Sequence, residues 1–133
     1  MGEIKDVIMN PLTCDIQVGI DIVSVSRIEE AARRSASFLK RNFSADEVSY
    51  CESFRSPWEH LAGRFAAKEA VAKALGIALR TSEIEVLNEK DGRPTVRLSG
   101  KTKDWHQGKK ILLSISHEGG YAVAFCIAIN AQC

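Results

Sequence analysis

The stretch from Gly63 to Gly76, GRFAAKEAVAKALG, constrains the fold of this chain more than any other segment. Its interior is nearly all alanine, with small or apolar residues on every side, which is typical of a helix inside a protein. Upstream, Ser56 and Glu59 can form a capping box around Pro57, which suits a first helical turn. Gly76 suits a left-handed stop after the last turn. We therefore predict one long buried helix that ends at Gly76.

This predicted helix carries Glu69 and Lys73, one turn apart. Glu69 falls in the same stripe as Trp58, Leu61 and Phe65, where water should be scarce. A carboxylate there is costly unless it is paired or binds a cation. The simpler interpretation is an intrahelical ion pair between Glu69 and Lys73, which is a common arrangement. The other interpretation is a functional carboxylate.

A second notable carboxylate, Asp21, lies near the end of the first predicted strand, residues 16–23. The large hydrophobic residues of this strand alternate onto one face: Ile16, Val18, Ile20 and Ile22. Asp21 and Gly19 take the other face, although aspartate is a poor strand residue. Alone, Asp21 would be interpreted as a solvated carboxylate or as a cap of the turn that follows.

The rest of the chain predicts helices grouped apart from paired strands. Capping boxes at Ser26 and Ser44 begin two helices after the first strand. Two hairpins then follow, separated by a short helix over 100–108, with Asp-Gly at the first turn. This order indicates an α+β fold, with an antiparallel sheet packed against the long buried helix. We predict a single domain over 16–130, preceded by an extension over 1–15 that has no clear period.

The composition narrows the possible functions. With 133 residues the chain can form one domain with a real core. A net charge of +1 argues against a general nucleic-acid binder, and no apolar run reaches membrane-spanning length. The four cysteines form no Cys-x-x-Cys pair, so no zinc motif is visible. The opening residues do not read as a secretory signal, and we predict a cytoplasmic protein.

Two carboxylates from separate buried elements, with basic residues nearby, point to phosphate chemistry. Asp21 and Glu69 offer too few oxygens for a closed all-protein cage, but they suit Mg²⁺ that completes its shell with water and substrate phosphate. Lys73, Arg64 and His117 would neutralise further phosphate charge. No P-loop or Rossmann glycine pattern is present. Ser116 and His117 are adjacent on a strand and should point to opposite faces, which argues against a nucleophilic Ser–His couple.

Basic residues cluster along and beyond the second element: Arg27, Arg33, Arg34, Lys40 and Arg41. A solvated basic face is the common meaning of such a cluster. The sharper interpretation is a docking surface for an acidic protein, because complementary charge speeds encounter and sets orientation.

Four motifs stand in an order and spacing that match one known family. They are GIDIV-x-V-x-RI at 19–28, GRFAAKEAVAKALG at 63–76, DGRP at 91–94 and SISH at 114–117. With these motifs the chain closely resembles the holo-[acyl-carrier-protein] synthases, the small trimeric class of 4′-phosphopantetheinyl transferases. The resemblance covers about residues 16–130, and the combination of four motifs is highly specific.

The resemblance implies transfer of 4′-phosphopantetheine from coenzyme A to a serine of apo acyl carrier protein, which serves fatty acid biosynthesis. The other product is adenosine 3′,5′-bisphosphate. Asp21 and Glu69 match the Mg²⁺ ligands, and Glu69, directly or through a metal-bound water, is the candidate base. Lys73 matches the lysine that contacts the pyrophosphate. The resemblance also implies the rest of the nucleotide site (Arg64, Gly76, Pro94, Ser116 and His117) and two carrier-docking positions (Arg27 and Arg34).

The resemblance further implies a homotrimer whose sites lie between protomers. Two other hypotheses remain open on the sequence. One is a different Mg²⁺-dependent phosphate-ester enzyme, such as a nucleotide hydrolase, with a water nucleophile and no docking helix. The other is a non-catalytic binding module in which Glu69 and Lys73 are simply paired.

Overall fold

The structure is a computed structural model that describes residues 14–130. Most of the predicted extension, residues 1–15, therefore lies outside the described residues. The strands are β1 (Ile16–Ser24), β2 (Ile84–Asn88), β3 (Pro94–Leu98), β4 (Lys110–Glu118) and β5 (Tyr121–Ile129). The helices are α1 (Val25–Arg34), α2 (Phe38–Asn42), α3 (Ala45–Glu52), α4 (Pro57–Leu75) and α5 (Gly100–Trp105), with a 3₁₀ turn at Thr81–Glu83.

The strands form two antiparallel units. One is a three-stranded sheet in the order β1-β5-β4, and the other is the β2–β3 hairpin. Helix α4 packs against β1 and β5. Helices α1, α2 and α3 contribute residues to a second hydrophobic cluster, which also includes residues of α4. This arrangement confirms the predicted α+β architecture. Among the described residues, none of the helices is both long and apolar enough to span a membrane.

Helix α4 is the central element of the core, as its alanine-rich sequence predicts. Its alanines pack against the small residues that β5 directs inward: Ala122, Ala124, Cys126 and Ala128. Small side chains on both elements let the helix and the sheet approach closely. The helix ends at Gly76, which has φ +66° as the left-handed stop requires. At its start Ser56 is the N-cap residue, but its side chain makes no cap hydrogen bond, so the predicted capping box with Glu59 is wrong.

The capping prediction at Ser44 is confirmed, and the one at Ser26 is wrong. Ser44 Oγ accepts from the backbone N–H of Glu47 at 3.1 Å, and Glu47 Oε1 accepts from the backbone N–H of Ser44 at 2.9 Å. Helix α1 begins two residues earlier than the Ser26 box would allow, with Ser24 as the N-cap residue and no side-chain cap. The Ser24 hydroxyl is hydrogen-bonded to that of Ser26 instead, at 3.0 Å.

The rotation of α4 is fixed by a buried ion pair. Lys68 Nζ lies 2.8 Å from Glu47 Oε1, and both side chains are 1% exposed. Lys68 also donates to the carbonyl oxygens of Asn42 at 2.6 Å and Thr81 at 3.0 Å, while Glu47 accepts from the backbone N–H of Val86 at 3.0 Å. Burial lowers the pKa of Lys68, and the adjacent Glu47 opposes that shift. The pair thus ties α2, α3 and β2 to the helix that carries Glu69.

Gly19 is the point of closest approach between β1 and α4. A Cβ atom built on Gly19 would lie 2.0 Å from the carbonyl oxygen of Ala70 and 2.7 Å from the backbone nitrogen of Ala74. Both of these are backbone atoms, which cannot move without shifting the helix. No side chain larger than hydrogen therefore fits at Gly19 in this packing.

We expect the substitution Gly19→Ala to lower the free energy of unfolding by about 2–3 kcal/mol, because it overpacks a rigid contact. Gly63→Ala is the matched control. Its Cβ would meet only the side-chain methyl Cγ2 of Ile115, at 2.9 Å, and alanine is favoured over glycine within a helix. Urea denaturation of both variants measures the difference, and equal midpoints would contradict the close contact at Gly19.

The opposite face of the three-stranded sheet is hydrophobic and uncovered in a single protomer. The β1 residues on this face, Ile16, Val18, Ile20 and Ile22, are between 56% and 64% exposed. Exposed Leu112, Tyr121 and Phe125 extend the same face. The alternation in β1 is therefore as predicted, but it is the Gly19 and Asp21 side of the strand that faces α4, so a solvated outer face for Asp21 is wrong. So large an apolar patch marks an interaction surface.

Candidate active site

Asp21 and Glu69 lie against the same cavity, of about 330 Å³. Asp21 comes from β1, on the side that packs against α4, and Glu69 comes from α4 itself. Burial raises the pKa of Glu69, the negative charge of Asp21 raises it further, and Lys73 opposes the shift. The carboxylate of Asp21 is thus close enough to disfavour the charged form of Glu69, although the two come from separate elements.

Lys73, which is also on α4, partly offsets the repulsion between Asp21 and Glu69 by contacting Asp21. Its Nζ lies 3.1 Å from Asp21 Oδ1 and donates to the carbonyl oxygen of Ile20 at 3.0 Å. The ion pair between Glu69 and Lys73 that the sequence offered as the simpler interpretation does not form, since Lys73 contacts Asp21 instead. Half of the Lys73 side chain stays exposed, so it can still reach a bound anion.

The donor set fits a hard divalent cation. Carboxylate oxygens are preferred ligands of Mg²⁺, and a cation between Asp21 and Glu69 would remove their mutual repulsion. Within residues 14–130, no group of three or more His, Cys, Asp or Glu side chains could hold a metal ion. A cation at this pair would therefore complete its shell with water or with oxygens of a bound substrate.

Helix α1 brings a basic residue to the same cavity. Arg27 lines it together with the two acids, and Phe38 and Phe65 contribute apolar walls. Arg34 is exposed seven residues later, two helical turns along, and so lies on the same side of α1 as Arg27. Arg33, in contrast, pairs with Glu29 at 3.6 Å on a different side. The structure therefore places Arg27 at the acid pair and Arg34 two turns further along the same side of α1.

A second cavity, of about 190 Å³, brings together three more of the predicted site residues. Arg64, Pro94 and His117 line it, along with Tyr50 and Asn88. Arg64 is only 5% exposed, with its guanidinium carbon 4.1 Å from the centre of the Tyr50 ring, and it donates to Asn88 Oδ1 at 2.6 Å. Its Nε is buried without a hydrogen-bond partner. A buried cation with an unused donor is prepared to bind an anion.

Two residues that lie beside His117 were not among the site residues predicted from the sequence. Glu59 Oε2 lies 3.3 Å from His117 Nδ1, and the ring of His60 lies 5.4 Å from the ring of His117 in an edge-on arrangement. Both come from the first turn of α4, directly before the matched motif at 63–76. His60 could have been predicted as a site residue, because it lies four residues before Arg64 on the same helix and therefore on the same face.

The remaining predicted nucleotide residues, Gly76 and Ser116, line neither of these cavities. Gly76 ends α4, and Ser116 is exposed on β4. Ser116 pairs with Val123 of β5, whereas His117 pairs with the buried Ala122. The two side chains therefore point to opposite faces, as predicted from strand alternation.

The two cavities lie on different sides of α4. Arg64 and Glu69 are five residues apart, which rotates them by about 140° around the helix axis. A single chain thus separates the acid pair from the buried arginine. A larger cleft of about 800 Å³ between the β2–β3 turn and β4 shares Pro94 with the arginine cavity, and Lys110 lines its far side. Together these spaces are large enough for a nucleotide-sized ligand.

Comparisons with known proteins show what this chain is similar to. The sequence model of the 4′-phosphopantetheinyl transferase superfamily matches residues 17–126. A holo-[acyl-carrier-protein] synthase from Clostridium tetani (strain Massachusetts / E88) is 43% identical over 122 residues, which are 87% of this chain and 96% of that protein.

Two solved structures are also similar. The Chronobacterium ammoniagenes ACPS-CoA complex aligns with a TM-score of 0.76 and 35% identity, over 86% of this chain and 96% of that one. The Helicobacter pylori holo-[acyl-carrier-protein] synthase in complex with coenzyme A aligns with a TM-score of 0.74 and 34% identity, over 84% of this chain and 98% of that one.

Proposed function

The chain belongs to the 4′-phosphopantetheinyl transferase superfamily, and from this premise we propose that it is a holo-[acyl-carrier-protein] synthase. It transfers 4′-phosphopantetheine from coenzyme A to a serine of apo acyl carrier protein, and it releases adenosine 3′,5′-bisphosphate. Residues 16–130 form its single domain, its setting is the cytoplasm, and its product serves fatty acid biosynthesis.

One observation carries this proposal: Asp21, Glu69 and the docking residue Arg27 line a single cavity. A carrier protein that docks on α1 would bring its serine to the acid pair. A nucleotide hydrolase would use water as its nucleophile and would have no need of basic docking residues at this place. A non-catalytic module held by a Glu69–Lys73 pair does not fit, because Lys73 contacts Asp21.

The direct test is to incubate the protein with coenzyme A, Mg²⁺ and an apo acyl carrier protein, and then to weigh the carrier. We expect a mass gain of one phosphopantetheine group per carrier and the release of adenosine 3′,5′-bisphosphate. A folded protein that leaves the mass of several apo carriers unchanged under these conditions would refute the proposal.

Asp21 and Glu69 would hold Mg²⁺ through their carboxylate oxygens, with the coenzyme A pyrophosphate supplying further oxygens. When bound, the ion neutralises pyrophosphate charge and orients the reacting phosphate. Glu69 takes the proton of the carrier serine as the serine Oγ attacks the β-phosphorus of coenzyme A. The bond from that phosphorus to the bridging oxygen breaks, and Lys73 stabilises the negative charge left on the bisphosphate.

The nucleotide half of coenzyme A would occupy the arginine cavity and the cleft beside it. Arg64 offers a buried charge with an unused Nε donor, and His117 and Pro94 line the same space. Gly76 and Ser116 are assigned to this site by family resemblance. Neither lines the arginine cavity within one protomer, so they would act where a neighbouring subunit completes the site.

We therefore also propose a homotrimer with its sites between protomers. Two observations support this: the acid pair and Arg64 lie on different sides of α4, and the outer face of the sheet exposes a hydrophobic patch. Burial of that patch between subunits would bring the acid cavity of one protomer against the arginine cavity of the next. A chain of 133 residues could thereby enclose a large cofactor.

Arg27 and Arg34 would receive the acidic carrier protein. We expect the double substitution Arg27→Glu/Arg34→Glu to lower kcat/KM for the carrier by about 100-fold, because like charges would then face each other across the contact. The KM for coenzyme A should rise much less, because neither arginine lines the arginine cavity and only Arg27 lines the acid cavity.

The matched control for this charge reversal is Lys101→Glu/Lys103→Glu. It changes the net charge equally on α5, where both lysines are exposed and line neither proposed site cavity. The control should keep most of the rate with the carrier. If both double variants lose the same activity, overall charge rather than α1 receives the carrier.

A further inference from the structure

His60 lies in the arginine cavity without a role in the function proposed above. Its ring stacks on Phe54 with centroids 3.7 Å apart and an interplanar angle of 18°, which holds it in one orientation. It lines the cavity together with Arg64 and His117. Within residues 14–130, neither ring nitrogen of His60 makes a hydrogen bond. Two unused donors or acceptors are thus available: the Nε of Arg64 and the His60 ring.

The net positive charge of the side chains around this cavity is too small to neutralise a bound phosphate monoester. Arg64 contributes one positive charge, and Glu59 cancels it with one negative charge close to His117. The ring of Tyr50 also faces His60, with the two ring centres 6.4 Å apart. A phosphate monoester carries nearly two negative charges at pH 7. Among the residues that line this cavity, only the two imidazoles can supply further positive charge, and only His117 already has a carboxylate partner.

The groups around His60 favour its neutral form. Burial lowers the pKa of His60, and the nearby His117 and Arg64 lower it further, while Glu59 opposes them. A dianion in the cavity would reverse the balance of charge around the ring, because it favours the protonated imidazole. Entry of the dianion would thus shift His60 towards its protonated form.

We propose that His60 is a further phosphate-binding residue of this enzyme and that it takes up a proton when the phosphate monoester of coenzyme A enters the cavity. This inference rests on the proposed function. The monoester on the ribose is the relevant group, since the pyrophosphate is assigned to Asp21, Glu69 and Lys73. His60 thereby helps the enzyme to distinguish coenzyme A from dephospho-coenzyme A, which lacks that phosphate.

The proton uptake can be measured on the unmodified protein. Titration calorimetry with coenzyme A and Mg²⁺, in buffers of different ionisation enthalpy, should give an uptake approaching about one proton per site near pH 7. Dephospho-coenzyme A should give much less. The contribution of His60 to the affinity for coenzyme A should be full below the pKa of the unliganded histidine, and it should be lost as the pH rises through the higher pKa of the bound histidine. The affinity for dephospho-coenzyme A should change little over the same range.

The variant His60→Phe keeps the stacking partner of Phe54 and removes the proton site. We expect about tenfold weaker binding of coenzyme A at pH 7, binding of dephospho-coenzyme A within about twofold of normal, and loss of the proton uptake. His60→Gln serves as a second variant if the phenylalanine disturbs folding, which thermal unfolding would detect.

The possible outcomes separate this inference from the proposed function. If coenzyme A binds normally to His60→Phe with the same proton uptake, His60 has no part in phosphate binding, and the proposed transferase function is not affected. Equal proton uptake for coenzyme A and dephospho-coenzyme A would likewise overturn the inference without any variant. If the unmodified protein binds neither ligand and transfers nothing, the proposed function itself fails.

Discussion

Replacement of Glu69 by Gln should abolish phosphopantetheine transfer, with a loss of at least about 1,000-fold in kcat. The amide is nearly isosteric with the carboxylate, but it cannot accept the serine proton and is a weak ligand for a divalent cation. The fold should survive, because Glu69 makes no ion pair with Lys73 and the repulsion from Asp21 disappears. The carrier-mass assay and thermal unfolding measure both effects.

Glu52→Gln is the matched control, since Glu52 is exposed on α3 and lines neither cavity. It should transfer at the normal rate. Calorimetry should also find that Glu69→Gln has lost most of its Mg²⁺-dependent coenzyme A affinity. A Glu69→Gln protein that retains near-normal rates would remove this residue from the mechanism.

Replacement of Ile20 by Lys should separate the subunits and stop catalysis. Ile20 is 59% exposed in one protomer and lies opposite Phe125 on the hydrophobic face of the sheet. A lysine there costs an isolated protomer little, but it would bury a charge at the proposed interface. Light scattering should give a monomer mass, and transfer should fall by at least about 100-fold because the two halves of each site no longer meet.

Ile20→Val is the control for this experiment and should remain trimeric and active. Complementation tests the shared site more sharply. Glu69→Gln and Arg64→Gln should each be inactive alone, but co-produced mixed trimers should recover about a quarter of the sites, because one protomer supplies the acids and the next supplies the arginine. No recovery in mixed trimers would mean that each chain carries a complete site.

The long helix and its stop were predictable because local chemistry decides them. Alanine spacing and Gly76 act within a few residues, and so does the capping box at Ser44. The pairing of Asp21 with Lys73 was not predictable in this way. Lys73 had a nearer partner in sequence, Glu69, and only the packing of β1 on α4 brings Asp21 closer.

Two features depend on tertiary packing and could not be predicted from sequence periodicity: which face of β1 is covered, and the ion pair between Lys68 and Glu47. The alternation in β1 identified a hydrophobic face, but periodicity does not say which element covers which face. The small residues of β5, such as Ala124 and Ala128, match the alanines of α4, so the larger residues are left outside. Lys68 was likewise hidden, because its partner Glu47 lies 21 residues away on another helix.

Gly19 and Asp21 lie on the same side of β1, and Ala70, whose carbonyl oxygen meets Gly19, directly follows Glu69. The hydrogen atom that serves as the side chain of Gly19 therefore sets how far the two carboxylates stand from each other. Oxygen ligands lie about 2.0–2.1 Å from Mg²⁺ and about 2.3–2.6 Å from Ca²⁺. We therefore expect Gly19, which would not contact the ion, to influence which divalent ion the proposed site at Asp21 and Glu69 selects.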